Sequence, residues 1–408
     1  MKTFNKKISV AEYIADFISS LGVDIVPFVQ GGAIMKIIDS VGQHKKLKYV
    51  ACNHEQAVAM FVDGYARVKG FGVGMATSGP GGTNMLTGIA CAYYDSIPCL
   101  FITGQVGMFH IKGDRKIRQR GFQETDIVSM AKPVTKHSEM VVKGEDVRYV
   151  FEKAVHMAKS GRPGPVLIDV PYNVQREMII PEKLRSYSPS SSKSPFLKTS
   201  CEKEAKNILN ILLKAERPVL FVGGGVRIAG EVKNTVKLAS ALKIPVVTTW
   251  GAIDVFSSSE PLYLGSPGRY GNISANEIVE KSDVALSLGS RFTTKVIHND
   301  KIFSHNTKVI AVDIDRGELN EGLLPHWRTI QVDLREFLPV LLRQSREVSL
   351  NKEKLKKWLA FARELKSKSF DINIPPKSPE SHVNPYTFGR VLSRVLGKKD
   401  IITSDCGL

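Results

Sequence analysis

The chain has 408 residues, of which 43% are hydrophobic, and its formal net charge at pH 7 is +17. This length predicts two or three domains with ample apolar content for their cores. The basic residues are spread along the chain rather than clustered among aromatics, so we expect no nucleic-acid partner. No apolar run is long enough for a membrane span, so we expect no membrane partner.

The cysteines lack the spacings that are typical of metal sites and redox pairs, so we expect no metal ion on this chain's own residues. Free thiols in this pattern predict a reduced, cytoplasmic protein. Ser9 and Glu12 form a capping box for an amphipathic helix, and Asp16 helps to interrupt what would be the apolar core of a leader. The five cysteines are Cys52, Cys91, Cys99, Cys201 and Cys406.

Two turns between a strand and a helix stand out in the first hundred residues. The apolar stretch 47–52 predicts a short buried strand, Asn53 is placed to cap the next helix, and Glu55 falls in its first turn. A strand over 71–77 leads to the glycine-rich turn 78–82, where backbone N–H groups can approach a ligand closely. Residues 83 and 84 are placed to start the next helix, over 85–93. Each motif alone is equally compatible with an ordinary helix start and an ordinary tight turn.

The middle of the chain alternates strands and helices after a linker rich in Ser, Pro and Lys. This alternation predicts a doubly wound parallel sheet. The glycines 223–225 follow a strand, but Ile228 stands where the G-x-G-x-x-G pattern needs its third glycine. The predicted strands cover 218–222, 244–248, 284–288 and 308–312. Near the end of the chain we predict a helix over 384–396 and a further strand over 400–404.

Nine short segments within residues 9–175 together resemble the acetolactate synthase-like family of thiamine diphosphate-dependent enzymes. The matching segments are 30–33, 54–57, 63–67, 77–84, 95–98, 102–106, 122–124, 132–137 and 161–166. The resemblance implies an α/β fold with doubly wound parallel sheets, two complete domains and the start of a third. The implied units are a pyrimidine-binding domain at 1–183, a linker at 184–200, a central nucleotide-binding-like domain at 201–345, and a linker helix with the first elements of a truncated diphosphate-binding domain at 346–408.

The resemblance also assigns roles around the thiamine pyrimidine. Glu55 matches the glutamate that hydrogen-bonds a pyrimidine nitrogen and favours the tautomer that takes a proton from the thiazolium carbon. Pro80 and Asn84 match the turn that faces the pyrimidine. The substrate pocket is implied to include Gly31, Gly32, Phe122 and Gln123.

In the resembling family the central domain binds FAD in some members, and a purely structural central domain is the alternative here. The positions that match the FAD site are Arg162, Gly224, Gly225, Gly268, Arg291, Asp313 and Asp315. The segment 106–121 departs from the family, since five of its sixteen residues are Lys or Arg. It is either a solvated surface loop or a loop reshaped for an anionic substrate.

The end of the chain lacks the family's Gly-Asp-Gly motif, which holds magnesium and the cofactor's diphosphate. We therefore expect a fragment that is inactive alone, with thiamine diphosphate and Mg²⁺ completed by the missing domain in a homodimer or homotetramer. The implied reaction is decarboxylation of a 2-oxo acid such as pyruvate with carboligation to a second carbonyl. Two alternatives stay open: acetyl transfer from pyruvate to a keto sugar, and a truncated non-catalytic module that binds a nucleotide or a partner.

Overall fold

Two parallel β-sheets, each covered by helices on both faces, organise the chain. The structure is a computed structural model that describes residues 6–189, 198–296, 303, 307–321, 328–348, 351–368, 382–397 and 399–403. Its strands are β1 (Ile8–Ser9), β2 (Ile25–Phe28), β3 (Lys48–Ala51), β4 (Gly72–Ala76), β5 (Cys99–Gln105), β6 (His137–Met140), β7 (Val166–Pro171), β8 (Met178–Ile179), β9 (Pro218–Val222), β10 (Val246–Thr248), β11 (Val284–Leu288), β12 (Lys308–Asp313) and β13 (Arg328–Gln331).

Fourteen α-helices connect or flank these strands in the described part of the chain. They are α1 (Val10–Ser20), α2 (Met35–Gln43), α3 (Glu55–Lys69), α4 (Pro80–Tyr94), α5 (Ile127–Ala131), α6 (Val147–Lys159), α7 (Lys198–Lys214), α8 (Gly225–Ile228), α9 (Val232–Leu242), α10 (Ile273–Glu280), α11 (Arg316–Asn320), α12 (Leu334–Ser345), α13 (Lys352–Lys368) and α14 (Pro385–Val395).

The first sheet has six parallel strands in the order β3-β2-β4-β5-β7-β6. Apolar side chains of α1, α2 and α6 pack on one face, and those of α3, α4 and α5 pack on the other. The chain moves outward from β2 to β3 and then crosses back to β4, so the strand order reverses between β2 and β4. Ligands of open parallel sheets bind at such a reversal, beyond the carboxyl ends of the strands.

Strand β3 differs from the buried strand that we predicted over 47–52. All four of its residues are exposed, with Tyr49 at 56%. The strand lies at the edge of the sheet and pairs only with β2 among the described strands. An apolar run cannot by itself distinguish an edge strand from a central one, because both are rich in β-branched and aromatic residues.

The second sheet has five parallel strands in the order β10-β9-β11-β12-β13. Helices α7, α9 and α12 cover one face, and α10 and α13 cover the other. Trp358 of α13 is anchored there, because its indole N–H donates to the carbonyl oxygen of Pro218 across 2.9 Å. The predicted α/β class with parallel sheets is confirmed for both sheets.

The segments outside the two sheets agree in part with the sequence. Helix α7 begins at Lys198, inside the linker expected at 184–200, and residues 190–197 lie outside the described residues. Helix α14 occupies the segment where we predicted a helix. The strand predicted over 400–404 is not formed at 399–403, and residues 404–408, with Cys406, lie outside the described residues. None of the described helices combines the length and apolar character needed to cross a bilayer.

Candidate active site

The predicted thiamine-site residues gather at the carboxyl edge of the first sheet. Gly31 and Gly32 follow β2, Glu55 follows β3, Pro80 follows β4, and Gln123 lies in the loop after β5. The loops after β2 and β4 touch where the strand order reverses. A Cβ built on Gly31 would lie 2.4 Å from the Cβ of Thr77, so only glycine fits there without a shift.

Glu55 is the first residue of α3 and is partly buried. Our prediction that Asn53 caps this helix is wrong, because the ring Nδ1 of His54 accepts the backbone N–H of Gln56 at 3.0 Å. The Glu55 carboxylate is oriented by the next βα unit. Its Oε2 accepts a 2.9 Å hydrogen bond from Nδ2 of Asn84, and this leaves Oε1 beside the start of α4.

Helix α4 begins earlier than expected. The sequence predicted its start at 83–84, whereas the helix begins at Pro80, with Gly79 as its N-cap at φ +64°. Proline suits the first helical position because it has no N–H that needs a partner there. Asn84 therefore lies within the helix and turns its amide towards Glu55, while Pro80 is exposed at the helix tip.

The loop that follows β5 carries the predicted substrate residues. Phe122 is 85% exposed, and Gln123 has a left-handed backbone with φ +61°. A Cβ built on Gly79 would lie 2.9 Å from the Cβ of Gln123, so Gln123 packs directly on the turn that starts α4. The structure thus places Gln123 against the start of the helix that carries Asn84, and it leaves the ring of Phe122 open to solvent in the single chain.

Glu124 organises the basic segment that precedes these residues. Its Oε1 accepts the backbone N–H of Lys112 at 2.6 Å, and its Oε2 accepts those of Arg120 at 2.8 Å and Gly121 at 3.3 Å. Burial alone would raise the pKa of Glu124, but these three backbone hydrogen bonds outweigh it and hold the pKa below its usual value. One carboxylate therefore joins both ends of the basic loop.

A buried polar network under this loop was missed by the sequence analysis. Thr103, Gln105 and Asp169 are each at most 2% exposed. Thr103 Oγ1 donates to Oδ1 of Asp169 at 2.7 Å, and Gln105 Nε2 donates to its Oδ2 at 2.9 Å. Burial raises the pKa of Asp169 to about 7, although both hydrogen bonds favour its ionised form.

Gln175 anchors the glycine loop from below and was also missed. Its Nε2 donates to the carbonyl oxygens of Ala33 at 2.6 Å and Val170 at 2.8 Å. A Cβ built on Gly104 would lie 2.3 Å from the same Ala33 oxygen, so the loop after β2 rests directly on β5. No sequence pattern distinguishes this glutamine from a surface residue, since its role depends on contacts between distant segments.

The FAD candidates of the second unit follow the carboxyl ends of its strands. Gly224 and Gly225 follow β9, Arg291 follows β11, and Asp313 ends β12. Here too the strand order reverses, between β9 and β11, and the loops touch, since Gly225 N–H donates to the Gly289 oxygen at 2.9 Å. Next to this contact, Ser290 Oγ is buried without a hydrogen-bond partner among the described atoms. Gly268 lies farther along this edge at φ +117°.

Arg162 joins the two units at this edge. Its Nη1 donates to Oδ2 of Asp315 at 2.9 Å and to Oε1 of Glu318 at 2.6 Å, and its Nε donates to Ser96 Oγ at 2.8 Å. Burial would raise the pKa of Asp315, but Arg162 outweighs it and lowers that pKa. Burial raises the pKa of the neighbouring Asp313. Two of the FAD candidates, Arg162 and Asp315, are therefore bonded to each other.

The arrangement presents hydrogen-bonding groups at the strand-order reversal of the first sheet. Glu55 offers a carboxylate oxygen, Asn84 fixes its orientation, and the glycines bring backbone close to the opening. No three acidic, His or Cys side chains within the described ranges gather as a metal site.

Comparison with known proteins assigns the family. Residues 8–130 match the thiamine pyrophosphate enzyme, N-terminal TPP binding domain, and residues 205–341 match the thiamine pyrophosphate enzyme, central domain. The acetolactate synthase isozyme 1 large subunit of Escherichia coli (strain K12) is 34% identical over 408 residues, which cover 98% of this chain and 68% of the relative. The chain belongs to the thiamine pyrophosphate enzyme family. The predicted resemblance is therefore confirmed.

Other relatives of this chain carry similar names. The acetolactate synthase large subunit of Corynebacterium glutamicum is 35% identical over 373 residues, covering 89% of this chain and 57% of that protein. The probable acetolactate synthase large subunit of Methanocaldococcus jannaschii is 34% identical over 415 residues, covering 97% of this chain and 66% of that protein. The chain thus spans 57% to 66% of these two relatives.

Proposed function

We propose that this chain takes part in thiamine diphosphate-dependent decarboxylation of a 2-oxo acid such as pyruvate, followed by carboligation to a second carbonyl. The observation that carries the proposal is the 2.9 Å hydrogen bond between Glu55 and Asn84 at the strand-order reversal of the first sheet. The names of the relatives, all acetolactate synthase large subunits, support the same reaction class.

The roles of the chain's own residues follow from their placement. When bound, the cofactor supplies the electron sink for decarboxylation. Glu55 holds a proton at a pyrimidine ring nitrogen, and Asn84 keeps its carboxylate aimed at that position. Gln123, packed on Gly79, binds the 2-oxo acid, and the ring of Phe122 shields the reacting atoms from water. We propose magnesium as the companion ion of the diphosphate, because Mg²⁺ commonly accompanies bound phosphates. Its ligands would come from the missing diphosphate-binding domain, since the described residues of this chain gather no metal site.

We propose a homodimer in which a second copy covers the open side of the site. Two exposed features support it, the Tyr49 edge strand and Phe122, and Glu55 is only partly buried in the single chain. A proton-exchanging carboxylate works best when water is excluded, and one chain alone leaves this side open. Light scattering at increasing protein concentration tests the assembly, with Tyr49→Lys expected to favour the monomer. A wild-type chain that stays monomeric would contradict it.

We propose FAD as a second ligand, bound at the carboxyl edge of the second sheet. The partnerless hydroxyl of Ser290 and the close glycine loops fit a phosphate or ribose oxygen, and Asp313 can accept from a ribose hydroxyl. Quenching of flavin fluorescence by the chain tests this proposal. The Ser290→Ala variant should quench the fluorescence less than the wild type does. Unchanged fluorescence would favour the alternative, a purely structural central domain.

The main proposal is tested by titrating thiamine diphosphate with Mg²⁺ into the chain in a calorimeter, because binding can be read although the chain alone is expected to be inactive. We expect Glu55→Gln to weaken binding about tenfold, because one charge-assisted hydrogen bond is lost. Glu353→Gln is the matched control, since Glu353 is also a first-turn glutamate but lies on α13. The proposal fails if the wild type does not bind thiamine diphosphate, or if Glu55→Gln binds it as Glu353→Gln does.

A further inference from the structure

A continuous chain of hydrogen bonds connects the centre of the first sheet to the loop of Phe122 and Gln123. It starts at the Asp169 carboxylate, which accepts from Gln105 Nε2 at 2.9 Å. The same Nε2 donates to the carbonyl oxygen of Thr125 at 2.8 Å. The remaining atom of the Gln105 amide is fixed as well, because its Oε1 accepts the Val106 N–H at 2.9 Å. The amide therefore has one orientation, with both hydrogens directed away from Val106.

Thr125 is where this chain of bonds reaches the surface. Its carbonyl oxygen also accepts the N–H of Ile127 at 2.9 Å, so it sets the start of α5. Two residues earlier, Gln123 packs on Gly79 in a left-handed conformation that is costly for a residue with a side chain. Such a conformation persists only where its surroundings hold it, and the bond from Gln105 to Thr125 is a part-buried anchor two residues away.

The charge of Asp169 decides how strong that anchor is. An ionised carboxylate accepts both hydrogen bonds as charge-assisted bonds, which are about twice as strong as neutral ones. A protonated carboxyl must carry its hydrogen on Oδ1, because the Thr103 hydroxyl can rotate to accept it whereas the Gln105 NH₂ group cannot. The bond to Gln105 then becomes a neutral one, and the anchor weakens.

The groups around Asp169 set the pH at which this change occurs. Burial raises the pKa of Asp169 to about 7, and the negative charge of Asp126, at the start of α5, adds to the rise. The other polar groups that face it, Thr103 and Gln105 of β5, are uncharged. Within the described residues Asp126 is the charged group that acts on it.

We propose that Asp169 is a positioning residue whose ionised carboxylate, acting through Gln105, holds Thr125 and so fixes the loop of Phe122 and Gln123 against Gly79. The inference rests on the proposed function in one respect, namely that the loop presents Gln123 to a 2-oxo acid. Asp169 itself does not touch the site.

Hydrogen–deuterium exchange of the ligand-free chain, read by mass spectrometry in peptides covering 105–107 and 121–127, tests the proposal. The reporting amides are Val106 N–H, bonded to Gln105, and Ile127 N–H, bonded to Thr125. After correction for intrinsic exchange, we expect protection to rise about fivefold between about pH 6 and pH 8 as Asp169 ionises. Asp169→Asn mimics the protonated form and should stay at the low-pH level throughout.

Asp126→Asn provides the second arm, because an asparagine keeps the cap on the Ser129 N–H and removes only the charge. In this variant the protection of the Val106 and Ile127 amides should rise at a lower pH than in the wild type. A wild type without the rise, or an Asp169→Asn variant that retains it, overturns the proposal. Should Asp169→Asn fail to fold, an Asp126→Asn midpoint equal to that of the wild type overturns it instead. Exchange needs neither cofactor nor turnover, so failure of the proposed reaction leaves this result readable.

Discussion

Asn84 Nδ2 donates to Glu55 Oε2 across 2.9 Å, so one side-chain hydrogen bond joins the start of α4 to the start of α3. Glu55 is supported on one oxygen, and its other oxygen faces the opening of the sheet near Gly81. A carboxylate that accepts this bond on one oxygen keeps the lone pairs of its other oxygen for a ligand.

Replacing Asn84 by Asp should disable the site while preserving the shape of the side chain. Two carboxylates would then face each other, and their like charges would repel. We expect thiamine diphosphate affinity to fall at least about tenfold, because Glu55 loses its donor. Thr87→Asp adds the same charge to an exposed position of the same helix and should bind normally. Calorimetric titration at neutral pH distinguishes the two, and equal affinities would contradict the role of Asn84.

Gly31 and Gly32 offer a matched pair in one turn. A Cβ on Gly31 would collide with Thr77, whereas a Cβ on Gly32 meets nothing within 4 Å. We expect Gly31→Ala to lower the free energy of unfolding by about 2 kcal/mol, as overpacking does. Gly32→Ala should change it by less than about 1 kcal/mol. Urea unfolding measures both, and similar losses would mean that the contact with Thr77 does not constrain the loop.

The sequence correctly predicts the elements that a few adjacent residues determine. The capping box of α1 is present, since Glu12 N–H donates to Ser9 Oγ at 3.2 Å and Ser9 N–H donates to Glu12 Oε2 at 2.6 Å. The strands over 218–222 and 284–288 form at those residues. In each case a few adjacent residues carry the whole signal. The assigned roles of the site residues stay predictions until binding is measured.

The wrong predictions and the missed residues are those that depend on contacts between distant parts of the chain. Nothing local shows that His54 rather than Asn53 caps α3, or that β3 is an edge strand. Asp169 lies in an apolar strand, and its partner Gln105 is 64 residues away. Arg162 and Asp315 are 153 residues apart, so only the packing of the two units shows that they pair.

The free energy of unfolding should depend on pH through Asp169. It should fall as the pH rises, whereas the anchoring of the loop strengthens. Because burial raises its pKa to about 7, the folded chain holds a proton that the unfolded chain has already released above about pH 4. Stability therefore falls as pH rises between these values, by about 4 kcal/mol in total. Asp169→Asn should lack this decline. Urea unfolding at several pH values tests it, and parallel curves for the two proteins would refute it.

The Arg162 bridge should stabilise the chain more than an ion pair of equal exposure within one helix. Arg162 lowers the pKa of Asp315 against the effect of burial, so its contribution is present at neutral pH and is lost in acid, as Asp315 becomes protonated. We expect Arg162→Met to cost about 1–2 kcal/mol at neutral pH, after allowance for partial exposure. The control Arg148→Met breaks the pair with Glu152 in α6 and should cost about 0.5 kcal/mol.

A double-mutant cycle separates the Arg162 bridge from packing. Glu318→Gln combined with Arg162→Met should give a coupling energy of about 1 kcal/mol, since the two side chains are in direct contact. Additive effects would show that Arg162 acts through its aliphatic stem and not through its charge.

The three backbone hydrogen bonds to Glu124 make residues 107–124 a transplantable unit. Lys112, Arg120 and Gly121 are joined to one another by a side chain of the same segment. The segment contacts neighbouring elements near its two ends, where Met108 N–H donates to Asn173 Oδ1 at 2.9 Å and Gln123 packs on Gly79. A chimaera that exchanges this segment for the loop of a relative would therefore keep β5 and α5 in place as long as each loop keeps its own internal carboxylate. The first sheet can thus serve as a constant frame on which the lining of the substrate opening is varied by grafting.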